Sequence, residues 1–142
     1  MSDSILIAGG GIGGLATALA LARRGIAATV LEKAATLGEI GAGIQLGPNA
    51  FHAFDQLGVG AAARGMAVFI DRLLLMDAMS AEEITHIELG ERFRARFGNP
   101  YAVIHRGDLH GVLLQACRER GVALRTSAEV VGYDQDGSSV TA

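Results

Sequence analysis

The stretch that decides the fold is "ILIAGGGIGGLATALALARRG", Ile5 to Gly25, in which five glycines occupy the six positions 9–14. Before the cluster, residues 4–8 predict a short strand that is apolar throughout after Ser4. Such strands are usually buried on both faces, as in a parallel sheet. After it, residues 12–24 predict a helix built from Ala and Leu, both strong helix formers, with Gly25 as its stop. Residues 28–31 predict a second apolar strand, followed at once by Glu32. Together they make a βαβ unit of about thirty residues, the size of one right-handed crossover.

Gly9, Gly11 and Gly14 match G-x-G-x-x-G, and the match lies between a strand and a helix, where the pattern carries meaning. Gly9 permits the tight turn out of the strand, Gly11 lets backbone N–H groups approach a pyrophosphate, and Gly14 removes a side chain where helix meets strand. The anion would sit at the helix N-terminus, attracted by unpaired N–H groups and the helix dipole. Ala18 extends the close packing by a turn. Glu32 stands 18 residues after Gly14, where an acid accepts hydrogen bonds from an adenosine ribose and repels a 2′-phosphate. These residues predict a site for an adenine dinucleotide in a doubly wound, Rossmann-like α/β fold, and leave open whether it is NAD or FAD.

Further along, residues 34–47 read as a long Gly-rich loop. Pro48 opens a helix that Gly58 ends. Residues 69–77 and 84–89 predict two strands of an antiparallel excursion, and 102–105 a further strand. Asp108 is the expected N-cap of a helix over 109–120. Residues 122–125 and 129–133 predict strands, and "DQDG" turns toward a last strand starting in "SSVTA". That last strand is cut short, so the chain is expected to be a fragment.

Bulk composition narrows the function classes. The chain has 142 residues, which suggests one domain or one lobe of a larger one, and half are hydrophobic, enough for a substantial core. The net charge of −3 gives no electrostatic case for nucleic acid. "RFRARF", residues 92–97, interleaves cations with aromatics, but Glu88 and Glu91 lie beside it. It reads as a solvated strand or loop rather than a base-stacking surface. The uncharged run 5–22 lacks a basic flank and is interrupted by glycines, which argues against a signal peptide or membrane span. The single cysteine, Cys117, excludes an internal disulfide and suits a reducing cytoplasm. His105, His110 and Cys117 match no zinc spacing, and Cys117 falls among core leucines. Met66, Met76 and Met79 read as core filler, and His52 as a partly exposed helical residue. No nucleophile elbow is present.

Three more stretches, "GEIGAGIQLGPNAFHAFDQLGV", "GNPYAVIHRGDLHGVLLQA" and "RTSAEVVGYDQDG", resemble, in order and spacing, the single-component FAD-dependent aromatic hydroxylases. The likeness covers essentially the whole chain and selects FAD. It implies that residues 1–142 are the N-terminal part of an FAD-binding domain, a Rossmann-like fold with a parallel sheet and an antiparallel excursion, whose substrate domain and later FAD motifs lie elsewhere. By this resemblance Gly9, Gly11, Ile12, Gly13 and Gly14 cradle the pyrophosphate. Glu32 holds the adenosine ribose with Lys33 beside it, and Ala42 and Gly43 pass the flavin end. Arg106, in "R-x-x-L", contacts FAD, and the Val130 backbone lies near the adenine. A guanidinium at Arg106 is well shaped for phosphate on its own account.

The implied chemistry is a monooxygenation. NADH or NADPH reduces the flavin, and one atom of O₂ passes to a small hydroxybenzoate-type ring, 3-hydroxybenzoate to gentisate being the expected case. The cofactor carries the reaction while the protein binds, positions and excludes water. No catalytic residue and no metal ligand can be assigned in this stretch, so the fragment alone is expected to be inactive. The expected partners are substrate, O₂ and a second copy in a homodimer, with neither nucleic acid nor membrane. Two other readings of the same residues are a stand-alone nucleotide-binding module without redox chemistry and half of an NAD-linked dehydrogenase.

Overall fold

A computed structural model describes residues 5–38 and 41–142. Ser4 of the first predicted strand, and Glu39 and Ile40 of the Gly-rich loop, lie outside the described residues. The chain divides into two compact units, Met1–Ile40 with Gly107–Ala142, and Gly41–Arg106.

The first unit is built on the predicted βαβ. Strand β1 (Ile5–Ala8) leads through helix α1 (Ile12–Ala22) to β2 (Ala28–Leu31). β1 and β2 run parallel, with Ile5 opposite Ala28 and Ala8 opposite Leu31. On the other edge of β2 lies β8 (Ala123–Arg125), also parallel, with Val30 opposite Leu124, so the order is β1-β2-β8. Helix α5 (Arg106–Glu119), whose first residue is the last of the second unit, leads into β8. Leu15, Ala18 and Leu19 of α1 and Leu109, Leu113 and Cys117 of α5 are fully or almost fully buried. The Cys117 thiol donates to the Leu15 carbonyl at 3.3 Å, joining the two helices. Ala18 has no exposed surface, consistent with its place in the close packing. Gly25 adopts φ +72°, a left-handed turn open to glycine, just past the end of α1.

The C-terminal hairpin pairs β9 (Asp134–Gln135) with β10 (Val140–Thr141). Asp136 ties its turn by accepting the N–H groups of Ser138 and Ser139 at 2.8 and 2.7 Å. Those donors, with the two serine hydroxyls, lower the Asp136 pKa to about 2. "DQDG" is therefore turn chemistry, as its composition predicts. Residues 129–133, predicted as a strand, are not one.

In the second unit, β3 (Gly43–Leu46), β7 (Ala102–His105) and β4 (Val68–Phe69) form an antiparallel sheet in the order β3-β7-β4. β3 falls inside the stretch predicted as loop. Helix α2 (Pro48–Leu57) starts at Pro48 and stops at Gly58, which takes a left-handed φ of +79°. Helix α3 (Gly60–Met66) follows at once. Phe51 and Phe54, three apart on α2, pack edge-to-face at 6.1 Å in the core. Asp55 and Arg64 join α2 to α3 by two hydrogen bonds, at 2.5 and 2.8 Å. The predicted antiparallel excursion is a ribbon of β5 (Arg72–Met76) and β6 (Glu83–Glu88).

Two expectations are corrected here. "RFRARF" belongs to a helix, α4 (Glu91–Phe97), capped by Gly98 in the left-handed region. Phe93 and Phe97, four residues apart, meet with ring centroids 4.7 Å apart. The three methionines are not core filler: Met66 and Met76 are about half exposed and Met79 is 95% exposed.

Candidate nucleotide site

In the first unit the site is organised by the turn between β1 and α1. Gly9 holds φ +100°, a conformation that an L side chain rarely adopts, and its N–H donates to the Leu31 carbonyl at 2.7 Å. The ends of β1 and β2 are thereby tied together at the turn. Gly14 is glycine for a different reason: a Cβ there would overlap the Gly9 carbonyl and approach Ile7 Cγ2 to 3.4 Å. The helix starts so close to the strand's last turn that no methyl group fits. At Gly11 and Gly13 a Cβ would meet nothing within 4 Å. Gly11 is the N-cap of α1 and has no side-chain cap. Its side of the turn is open, and the first N–H groups of a helix have no intrahelical acceptor. Ile12 is the first helical residue.

Glu32 follows β2 directly and reaches back to this turn. One carboxylate oxygen accepts the Gly10 N–H at 2.7 Å and the other accepts the Ala34 N–H at 2.8 Å. These backbone donors, Ala34 first and then Gly10, hold the carboxyl below its usual pKa, and the neighbouring Lys33 charge adds to the effect. Glu32 is therefore an anion at neutral pH, and each oxygen keeps a lone pair for a further donor. The segment after β8 is fastened alongside: Ala128 N–H donates to the Glu32 carbonyl at 2.9 Å, and Ser127 N–H to that of Ala34 at 3.0 Å. Gly9, Glu32, Lys33 and Val130 then line one open hollow of about 260 Å³.

The second unit brings together the other three predicted residues. Gly43 lies opposite His105 in the β3–β7 ladder. The N–H of Arg106, the next residue, donates to the Ala42 carbonyl at 3.3 Å. A Cβ on Gly41 would come within 3.1 Å of Arg106 Cδ. Arg106 is the first residue of α5, so Asp108, predicted as the cap, lies inside the helix.

Two residues that shape the turn are not among those predicted from the sequence. A Cβ on Gly10 would overlap Leu37 Cδ2 and lie 3.2 Å from Glu32 Cβ, so this glycine is what lets Glu32 reach the turn. His110, on α5 and only 2% exposed, hydrogen-bonds through Nε2 to the Gly10 carbonyl at 2.8 Å. The extra glycine in the motif is a visible signal for the first. Nothing in the spacing singles out the second.

The open glycine turn, the helix N-terminus and an ionised carboxylate beside a hollow fit the pyrophosphate and ribose of an adenine dinucleotide. Residues 3–142 match the sequence model of the family described as FAD binding domain. The chain belongs to this FAD binding domain family. Its curated relatives include the 3-hydroxybenzoate 6-hydroxylase 1 of Aquipseudomonas alcaligenes, 60% identical over 94% of this chain. Another, the 3-hydroxybenzoate 6-hydroxylase of Klebsiella oxytoca, is 57% identical over 96% of this chain. This FAD-binding chain spans 34% of the length of each of these two relatives. Among solved structures, Klebsiella pneumoniae HpxO complexed with FAD and uric acid is similar at TM-score 0.83 and 27% identity, over 96% of this chain and 34% of that one. FAD is thus the dinucleotide, in a Rossmann-like fold, and the homologues are FAD-dependent monooxygenases. Among the described residues no helix is long and apolar enough to cross a membrane.

Proposed function

We propose that this chain supplies the adenosine- and pyrophosphate-holding part of an NAD(P)H-dependent flavin monooxygenase that converts 3-hydroxybenzoate to gentisate. The observation that carries the local assignment is the reach of Glu32 back to Gly10 at 2.7 Å beside the open face of Gly11. The identity of about 60% to 3-hydroxybenzoate 6-hydroxylases carries the substrate assignment. In this reading Gly9, Gly11, Ile12, Gly13 and Gly14 hold the pyrophosphate, Glu32 accepts the ribose hydroxyls with Lys33 alongside, and the Val130 backbone borders the adenine. Ala42 and Gly43 border the flavin end, and Arg106 donates to FAD. Bound FAD supplies the electron transfer from NAD(P)H and the activation of O₂. The residues named here bind and orient it.

The full-length polypeptide, loaded with FAD, is expected to oxidise NADH or NADPH in a 3-hydroxybenzoate-dependent reaction that yields gentisate, read by chromatography. Nicotinamide oxidation with no hydroxylated product from any hydroxybenzoate would sink the proposal. A cytoplasmic homodimer belongs to the same proposal. Light scattering of the full-length protein tests the dimer, and cell fractionation the compartment.

A further inference from the structure

We infer that His110 is a positioning residue for the pyrophosphate turn, acting through the Gly10–Gly11 peptide. The inference rests on the reading of residues 9–14 as the cradle of the FAD pyrophosphate. A carbonyl oxygen can only accept, so the Nε2 that meets Gly10 O at 2.8 Å carries the proton. The described chain has no cis peptide bond. In a planar trans peptide the C=O of one residue and the N–H of the next point in opposite directions. By holding the Gly10 carbonyl toward α5, His110 therefore turns the Gly11 N–H away from α5.

Such a hold is needed because this peptide joins two glycines, and nothing at either Cα resists its rotation. Rotated by half a turn, the peptide would present the Gly10 carbonyl where Gly11 N–H should be, and an oxygen there repels a phosphate. Two side chains grip Gly10 from opposite ends: Glu32 accepts its N–H at 2.7 Å and His110 donates to its C=O at 2.8 Å. His110 is 2% exposed, so water has little access to take over its bond. The donor comes from α5, about a hundred residues beyond the turn, and belongs to no part of the glycine motif.

The test uses the apo form of the full-length protein and three ligands, FAD, ADP and adenosine, with affinities from calorimetry. His110→Leu fills similar space without a donor and should weaken FAD and ADP about tenfold, the effect of one lost hydrogen bond. Adenosine, which has no phosphate, should bind within about twofold of wild type. His110→Gln restores a donor and should recover most of the loss. Equal weakening of all three ligands, or of none, overturns the inference. If His110→Leu does not fold, the comparison moves to His110→Gln and His110→Asn, whose donor is too short to reach. ADP should then separate these two variants, and equal ADP binding overturns the inference. Gly11→Ala serves as the control on the underlying reading. If it leaves FAD and ADP binding unchanged, the cradle itself is misassigned. If it weakens both while His110→Leu does not, only the role of His110 falls.

Discussion

Glu32 and Gly10, 22 residues apart in the chain, are joined by a 2.7 Å hydrogen bond from the Gly10 N–H to the Glu32 carboxylate. The bond locks the end of β2 to the turn that opens α1. Because the folded carboxyl titrates below its ordinary value of 4.5, it stabilises the fold above that value. The contribution is lost as the pH falls through the depressed folded value. Chemical denaturation from about pH 6 downward should show the wild type losing stability more steeply than Glu32→Gln. Parallel curves would contradict this role.

Glu32 should matter for the cofactor too. Glu32→Ala in the full-length protein is expected to weaken FAD binding by about ten- to a hundredfold, the range for hydrogen bonds to a charged group. The check is a fluorescence titration of the apoprotein with FAD, and unchanged affinity would remove Glu32 from the ribose.

Gly14 and Gly11 should respond to alanine in opposite ways. Gly14→Ala forces a methyl group into the Gly9 carbonyl and should destabilise the protein by about 2 kcal/mol or more, as overpacking does. At Gly11 the added methyl meets nothing within 4 Å and φ is −73°, so stability should change by less than about 1 kcal/mol. The loss at Gly11 should appear instead as weaker FAD binding. Urea midpoints and FAD titrations of both variants give the comparison.

Arg106 starts α5 beside Ala42 and Gly41. Arg106→Lys keeps the charge but loses the planar fork that suits phosphate. It should lower FAD affinity by about tenfold with little change in melting temperature. A melting temperature that falls while affinity holds would make Arg106 a structural residue only.

Cys117 is fully buried, and burial raises its thiol pKa. The thiolate is the reactive form, so alkylation of Cys117 in the native protein should be slow and should accelerate on denaturation. Mass spectrometry of the Cys117 peptide before and after adding denaturant measures it. Rapid native labelling would show that α1 and α5 separate readily.

The parts of the fold legible in the sequence are those whose cause is local. The strand, glycine turn and helix of residues 5–22 announce themselves because each rests on its own apolar run or missing side chains. The parts that escape depend on distant partners. β3 is four residues of an otherwise Gly-rich stretch and becomes a strand by pairing with β7, some sixty residues later. Residues 129–133 carry the β-prone Val130, Val131 and Tyr133, yet form no strand. α4 could have been read from its Gly90 and Gly98 borders, its first-turn Glu91 and its last-turn Arg94 and Arg96, had the alternation of cations and aromatics not suggested a strand. The same division holds for the site. The glycine motif and Glu32 follow from spacing, whereas the contact of His110 with Gly10 exists only once α5 is in place.

Because β2 pairs on one side with β1 and on the other with β8, the β1-β2-β8 sheet cannot form until the ribosome has released Arg125. The segment 41–106 is looped out of that sheet, and the entropy of closing a loop grows only with the logarithm of its length: each doubling adds about 0.6 kcal/mol. Lengthening or replacing this excursion should therefore cost the parallel sheet little. Adding β8 to β2 should be slow for so small a sheet, because this pairing joins residues more than ninety positions apart.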